Sequence, residues 1–181
     1  MNGQIKKIAL EGAVQVGKST LVERLLKETI IPVSGFMTRL DRETTDADGL
    51  SPLYIYPAAL PKGERVSSAK NLLGACNGKG GHKAYTEKFD TLATALLKDI
   101  PAGNLVVMDE LGFLESGAEN FKAAVRKILA GDLHVIMVIK NRADVQFLNE
   151  LRALEGVAYY TVTRENRDSL FEELSQIVRQ W

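Results

Sequence analysis

Eight residues near the start of the chain have the types and spacing needed to hold a polyphosphate: Gly12-Ala13-Val14-Gln15-Val16-Gly17-Lys18-Ser19. In a Gly-x-x-x-x-Gly-Lys-Ser pattern the glycines permit backbone angles that a Cβ penalises, so consecutive amide N–H groups can turn inward around an anion. Lys18 then supplies a point charge to the β and γ phosphates, and the Ser19 hydroxyl is placed to ligate Mg²⁺. A helix starting near Lys18 aims its positive end at the same anion. The expected ligand is a nucleoside triphosphate with Mg²⁺. A glycine-rich turn with an incidental lysine would look the same in isolation; an apolar strand before it and an amphipathic helix after it decide for the phosphate loop.

A second pair of residues could complete that chemistry. Leu105-Val106-Val107-Met108 is a continuous apolar run that ends in Asp109-Glu110. An acid at the end of such a strand is what a phosphate-loop enzyme uses to hold its Mg²⁺, which assigns Asp109 beside Ser19. A carboxylate directly after it can orient and deprotonate a water for in-line attack on the γ-phosphate, which assigns Glu110. That arrangement favours hydrolysis over transfer, although a kinase can carry an acid at the same place. On their own, the two acids could equally begin a polar loop.

The elements that must position these groups can be read from periodicity. Residues 5–10 form a short buried strand, and residues 18–29 a helix with Leu21, Val22, Leu25 and Leu26 on one face. Residues 35–40 and 53–56 are β-prone and flank the turn Asp46-Ala47-Asp48-Gly49, which predicts a hairpin. Residues 74–83 contain four glycines and are expected to be a mobile loop, or, less simply, a lid bringing Lys79, His82 or Lys83 over the phosphates. Beyond it, helices at 86–98, 118–130, 143–154 and 167–179 alternate with buried strands at 105–108, 133–139 and 157–162. Strands alternating with helices predict a mostly parallel sheet covered on both faces. The acidic pair favours an extra strand between the loop strand and the acidic strand.

Composition narrows the class. At 181 residues the chain fits one domain, residues 1–181, with about 40–70 as an inserted hairpin and loop. Lys plus Arg equals Asp plus Glu, 23 of each, so no nucleic-acid surface is announced by the totals. The single cysteine, Cys76, cannot form an internal disulfide, and the expected compartment is a reducing cytoplasm. No apolar stretch is long enough for a signal segment or a membrane span.

These anchors are similar to those of the cancer-related nucleoside-triphosphatase family. Its phosphate loop is matched by Gly12 to Thr20, and its strand-end signature by Asp109-Glu110-Leu111-Gly112-Phe113-Leu114-Glu115. Its Gly-Phe-x-Thr strand is matched by Gly35-Phe36-Met37-Thr38, and its late Thr-x-x-Asn-Arg-Asp by Thr163-Arg164-Glu165-Asn166-Arg167-Asp168. The resemblance implies a RecA-like P-loop fold and hydrolysis of ATP, GTP and other nucleoside triphosphates to the diphosphate and phosphate. It also brings Thr20 and Glu115 into the candidate set, Glu115 as a family feature without direct chemistry. Gln15 stands where the family usually has glycine, and Phe113 where it often has lysine. Residues 40–70 follow the family least closely, and a protein partner would be sought there.

Two further places carry open readings. Asn166 either caps the last helix or belongs to a loop contacting the base together with Arg164 or Arg167. Lys140-Asn141-Arg142 ends a buried strand on the ligand-binding edge of an open α/β sheet, so Arg142 either stabilises charge at the γ-phosphate or lies in a solvated turn. The first reading of the whole is a Mg²⁺-dependent nucleoside-triphosphatase. The alternatives are a nucleotide or small-molecule kinase with its acceptor near residues 36–66, and an interaction protein whose slow hydrolysis acts as a timer.

Overall fold

A computed structural model describes residues 4–181. Its frame is one eight-stranded sheet. The strands are β1 (Lys7–Gly12), β2 (Val33–Leu40), β3 (Ser51–Pro57), β4 (Leu72–Cys76), β5 (His82–Ala84), β6 (Leu105–Leu111), β7 (His134–Lys140) and β8 (Ala158–Thr161). Their spatial order is β5-β4-β3-β2-β6-β7-β1-β8. The five strands from β2 to β8 in that order run parallel, whereas β3, β4 and β5 add an antiparallel extension beyond β2. Strand β7 lies between β1 and β6, the extra strand that the acidic pair called for.

Alternation along the parallel strands builds two apolar layers. Ile8, Leu10, Leu105, Val107, Ile136 and Val138 face α1 (Lys18–Leu25) and α5 (Arg167–Val178), meeting Leu21, Leu25, Leu170 and Leu174. Ala9, Val106, Met108, Val135 and Met137 face the π-helical turn Phe89–Ala93 that follows α2 (Thr86–Lys88), together with α3 (Glu119–Ala130) and α4 (Gln146–Arg152), meeting Phe89, Phe121, Val125 and Leu148. A strand buried on both faces has no polar face to alternate with, which is why these segments read as unbroken apolar runs.

Four expectations change. The glycine-rich stretch at 74–83 is not a mobile loop throughout: half of it lies in the paired strands of the β4–β5 hairpin, and the other half, residues 77–81, is the irregular turn between them. Gly74 is needed there for close approach, because a Cβ would stand 2.3 Å from the Lys83 carbonyl oxygen. Asn77 Oδ1 closes the turn by accepting from the amides of Lys79 and Gly81. The insertion therefore continues past residue 70 through β5. The helix expected at 86–98 is α2 followed by a π-helical turn, Phe89–Ala93, in which the Thr94 hydroxyl donates to the Phe89 carbonyl. Lastly, α1 ends at Leu25, and residues 26–28 continue as tight turns rather than helix. Among the described residues, no helix is long and apolar enough to cross a membrane.

At the other end of the parallel strands, Trp181 stacks on His134 with ring centroids 4.8 Å apart and donates to the Ile5 carbonyl at 2.8 Å. Trp181 thus closes the layer under β1 and β7.

Candidate active site

The site lies at the C-terminal ends of β1, β6 and β7, where a parallel sheet presents its ligand edge. Strand β1 ends at Gly12, which passes so close to the next strand's exit that a Cβ would stand 2.2 Å from the Val162 carbonyl oxygen. Gly17, with φ +104°, forms the N-cap of α1. Gln15 also takes a left-handed angle, φ +64°, which explains why glycine suits that position. Lys18 is 7% exposed, and its ammonium donates to the carbonyls of Gly12 and Ala13 at 2.9 Å each. The loop therefore folds around its own lysine.

Strand β6 delivers the acids. Its pairing with β7 slips between Met108 and Leu111, the Asp109–Glu110 peptide is cis, and Asp109 pairs with Met37 of β2. Asp109 is 1% exposed, and neither carboxylate oxygen has a hydrogen-bond partner. Burial, reinforced by the charge of Glu110, pushes its pKa up to about 7. The Ser19 hydroxyl and the Lys18 ammonium pull the other way, and Ser19 is near enough to favour the charged form yet short of a formed hydrogen bond. A buried acid aimed at a hydroxyl with both oxygens unpartnered is a donor set suited to a small hard cation. Among the described residues no group of three or more His, Cys, Asp or Glu forms a protein cage.

Glu110 sits between two ammonium groups. Its Oε2 is 3.7 Å from Lys18 Nζ and its Oε1 is 3.4 Å from Lys140 Nζ. Its amide donates to the Thr38 hydroxyl at 3.1 Å, tying the acid to β2. That contact depends on a close approach of β2 to β6: at Gly35, φ +92°, a Cβ would stand 2.0 Å from the Val107 carbonyl oxygen. Glu115, 3% exposed, turns back to accept from the Gly112 amide and so closes the loop after the acids. Burial pushes its pKa up to about 7, against the pull of that hydrogen bond.

Phe113 holds the next layer. The edge of His82 meets its ring at 5.2 Å, and the Lys140 ammonium and Arg142 guanidinium lie over it at 5.2 and 4.9 Å. Arg142 is bound through two nitrogens to Asp144, at 2.7 and 2.5 Å. Lys83 is held by Asp46 and Asp48 in the hairpin turn, so it is a tie within the insertion rather than a group over the phosphates.

The other end of the site is more open. A cavity of about 170 Å³ is lined by Gly17, Thr20, Leu21, Arg24, Arg167 and Asp168. Arg167 covers Gly17, its Nη1 being 3.3 Å from where a Cβ there would stand. Arg24 pairs with Asp168 at 2.6 Å and lies 3.9 Å from the centre of the Phe171 ring. Asn166 does not cap α5 with its side chain. Its Oδ1 accepts from the Thr163 amide and its Nδ2 donates to the Thr161 carbonyl, each at 2.8 Å, so the amide is spent inside the loop that presents Arg167. Arg164 is exposed.

The structure thus brings together Gly12 to Thr20, Asp109 and Glu110, with Arg167 at the open end, and leaves Arg142 and Arg164 to one side. Sequence reasoning passed over three contributors. Thr38 stood inside a motif that had no assigned role. Lys140 was visible beside Arg142 but was given no part. The Arg152–Glu11 pair, at 2.8 and 3.0 Å, gives no local signal because its members are 141 residues apart; Arg152 also donates to the Lys140 carbonyl at 2.9 Å.

Comparison with known proteins shows the family and the fold. Residues 7–175 match the family model described as NTPase. The chain is 30% identical over 178 residues to the nucleoside-triphosphatase THEP1 of Thermofilum pendens, covering 94% of each chain. It is 26% identical over 174 residues to the nucleoside-triphosphatase THEP1 of Thermotoga petrophila, covering 96% of this chain and 93% of that protein. It is 24% identical over 185 residues to the cancer-related nucleoside-triphosphatase homolog of Mus musculus, covering 96% and 97%. The crystal structure of THEP1 from the hyperthermophile Aquifex aeolicus has the same fold, with a TM-score of 0.74 at 24% identity over 95% of this chain and 98% of that one. With a family model matched along nearly its whole length, the chain belongs to the NTPase family of nucleoside-triphosphate hydrolases.

Proposed function

We propose that the chain hydrolyses nucleoside triphosphates, ATP and GTP among them, to the diphosphate and inorganic phosphate with Mg²⁺. The observation that supports this most directly is the carboxylate of Glu110, 3.7 Å from the loop lysine and adjacent to a buried, unpartnered Asp109. Lys18 and the amides of residues 12–19 bind the phosphates. The Ser19 hydroxyl and Asp109 would hold the Mg²⁺, which neutralises charge on the β- and γ-phosphate oxygens when bound. Glu110 accepts a proton from a water as the water oxygen attacks the γ-phosphorus in line; the bond to the β–γ bridging oxygen breaks, and the diphosphate leaves. Glu110 is fixed for this by Thr38 on its amide and by the Glu115 turn behind it.

The base end supports tolerance rather than selection. Arg167 presents a planar cation, which can lie against the π-face of any base, and the cavity beside it is bounded by flexible charged side chains. Protein contacts to a partner through the antiparallel extension are not needed for this chemistry.

The test is phosphate release from several triphosphates, with and without candidate hydroxyl acceptors, with Mg²⁺ and with chelator, on wild type, Glu110→Gln and Lys18→Ala. Glu110→Gln should bind nucleotide normally and lose turnover by roughly 10²–10⁴-fold. Lys18→Ala should lose binding and turnover together. Undiminished phosphate release by Glu110→Gln would remove Glu110 from the mechanism, and strong acceleration by an acceptor would make the enzyme a kinase.

A further inference from the structure

The cation at the end of β7 is the feature that the reading above leaves without a role. Two basic side chains emerge there, Lys140 and Arg142, and the structure separates them. Both charges of the Arg142–Asp144 pair are satisfied by each other, with two hydrogen bonds formed. Among the described residues Lys140 has no such partner: its ammonium makes a single long ion-pair contact, 3.4 Å, with Glu110 Oε1. Its position is determined at both ends. The backbone of Lys140 pairs with Gly12, the first residue of the phosphate loop, and its carbonyl is held by Arg152, itself bound to Glu11 one residue earlier on β1. The stem lies along Gly112, with Cδ 3.4 Å from where a Cβ there would stand, and the ammonium is over the Phe113 ring.

From this arrangement we infer that Lys140 is a second catalytic cation, which contacts the γ-phosphoryl oxygens as the phosphoryl group is transferred to water. The inference rests on the hydrolytic reading of Glu110. A water attacking the γ-phosphorus must lie between that phosphorus and the Glu110 carboxylate. An ammonium 3.4 Å from Glu110 Oε1 is therefore beside the same attack line, at the carboxylate oxygen other than the one Lys18 approaches. An ammonium that touched only Glu110 would work against the reaction, because a neighbouring positive charge favours the carboxylate form and weakens it as a base. The same charge becomes useful where it also meets the equatorial oxygens, over which negative charge spreads in the transition state. Lys18, held from the other side by the carbonyls of Gly12 and Ala13, cannot cover both sides of the phosphoryl group. Among the described residues, Lys18 and Lys140 are the two cations within ion-pair distance of Glu110.

The test uses the full-length protein and compares Lys140→Met, Lys140→Arg and Glu110→Gln by phosphate release and by binding of ADP, alone and with Mg²⁺ and aluminium fluoride, which mimics the transferring phosphoryl group. Lys140→Met should bind ADP within about twofold of wild type, which also shows that it is folded. It should lose turnover by roughly 10²-fold, the scale of one oriented transition-state donor, and lose the tightening of ADP that aluminium fluoride produces. Lys140→Arg should recover part of both. Turnover of Lys140→Met within about threefold of wild type overturns the inference. So does lost turnover with the fluoride effect intact, since Lys140 would then act only through Glu110. Normal turnover in Glu110→Gln would instead overturn the hydrolytic reading on which the inference stands.

Discussion

The two ends of the site are built from different material. The phosphate end is built on the ends of β1 and β6, the start of α1 and the turn after β6: Gly12, Lys18, Asp109 and Glu115 are all buried. The base end is made of a loop, the first turn of α5 and the far side of α1, with Arg167 and Asp168 exposed and Arg24 half-buried around a small cavity. Buried groups act at low dielectric and need no reorganisation, so the phosphate end is suited to chemistry. Exposed arginines give weak, geometry-tolerant contacts, so the base end is suited to holding many bases loosely. The proposed hydrolysis of several triphosphates would use this division.

The sharpest way to break the comparison is Gly12→Ala. The new Cβ would meet a backbone oxygen at 2.2 Å, and backbone cannot rotate away as a side chain can. The Val162 amide also donates to the Glu11 carbonyl at 2.6 Å, so moving Val162 disturbs the first residues of the loop after β8 and the end of β1 together. The expected cost is about 3 kcal/mol of stability, at the upper end of ordinary overpacking, with nucleotide binding lost. Thermal unfolding and nucleotide titration would measure both. Gly78→Ala, in the hairpin turn where a Cβ meets nothing within 4 Å, should cost only the strain of its φ of +70°, about 1 kcal/mol, and leave binding intact. Equal costs at the two glycines would mean that the phosphate end is no more tightly determined than a surface turn.

The same division explains what could be read from the chain alone. The phosphate loop, the apolar strands and the acidic pair are local patterns, carried by glycine spacing and by runs whose period declares burial. Of the strand order, the acidic pair favoured only one extra strand between the loop strand and the acidic strand, which is β7; the rest of the order did not follow from the sequence. What stayed hidden depends on approach between distant segments. Gly74 and its neighbours read as a breaker, yet Gly74 is in a strand because Lys83 passes too close for a side chain. The π-helical turn leaves no mark on periodicity over so few residues. Thr38 meets Glu110 across 72 residues, and Arg152 meets Glu11 across 141. Asn166 was recognisable as important, but only its two loop contacts show that the importance lies in holding Thr161 and Thr163.

Burial of acids at the phosphate end has a measurable sign. Glu115 has an ordinary value of 4.5 and is pushed up to about 7 by burial. Between those values the folded protein keeps a proton that the unfolded chain releases, so this group's contribution to stability is full below about 4.5 and is lost as pH rises to about 7. Each pH unit in that window removes at most about 1.4 kcal/mol. Glu115→Gln cannot titrate, and its amide oxygen can still accept from Gly112. Relative to wild type, the variant should therefore gain stability steadily from pH 4.5 to 7 and no further above it. Taking the difference between the two proteins removes carboxylates such as Asp144, whose pKa is lowered to about 2 by Arg142. A constant difference across the range would mean that Glu115 is ionised in the fold throughout.

The smallest effect is expected at the base end, and it is the most direct probe of tolerance. Arg167 makes no ion pair among the described residues, and its guanidinium lies over Gly17 at the mouth of the cavity. An exposed cation against a ring contributes about 0.5–1 kcal/mol, so Arg167→Ala should raise KM by roughly two- to fivefold and leave kcat unchanged. The increase should be similar for ATP, GTP, CTP and UTP, because a stacked guanidinium meets a π-face common to all four rather than their distinct edges. A loss confined to one base would show that Arg167 reads an edge, and the base end would then be a selective pocket. A fall in kcat would show instead that Arg167 acts through Gly17 on the phosphate loop, so that the two ends work as one structure.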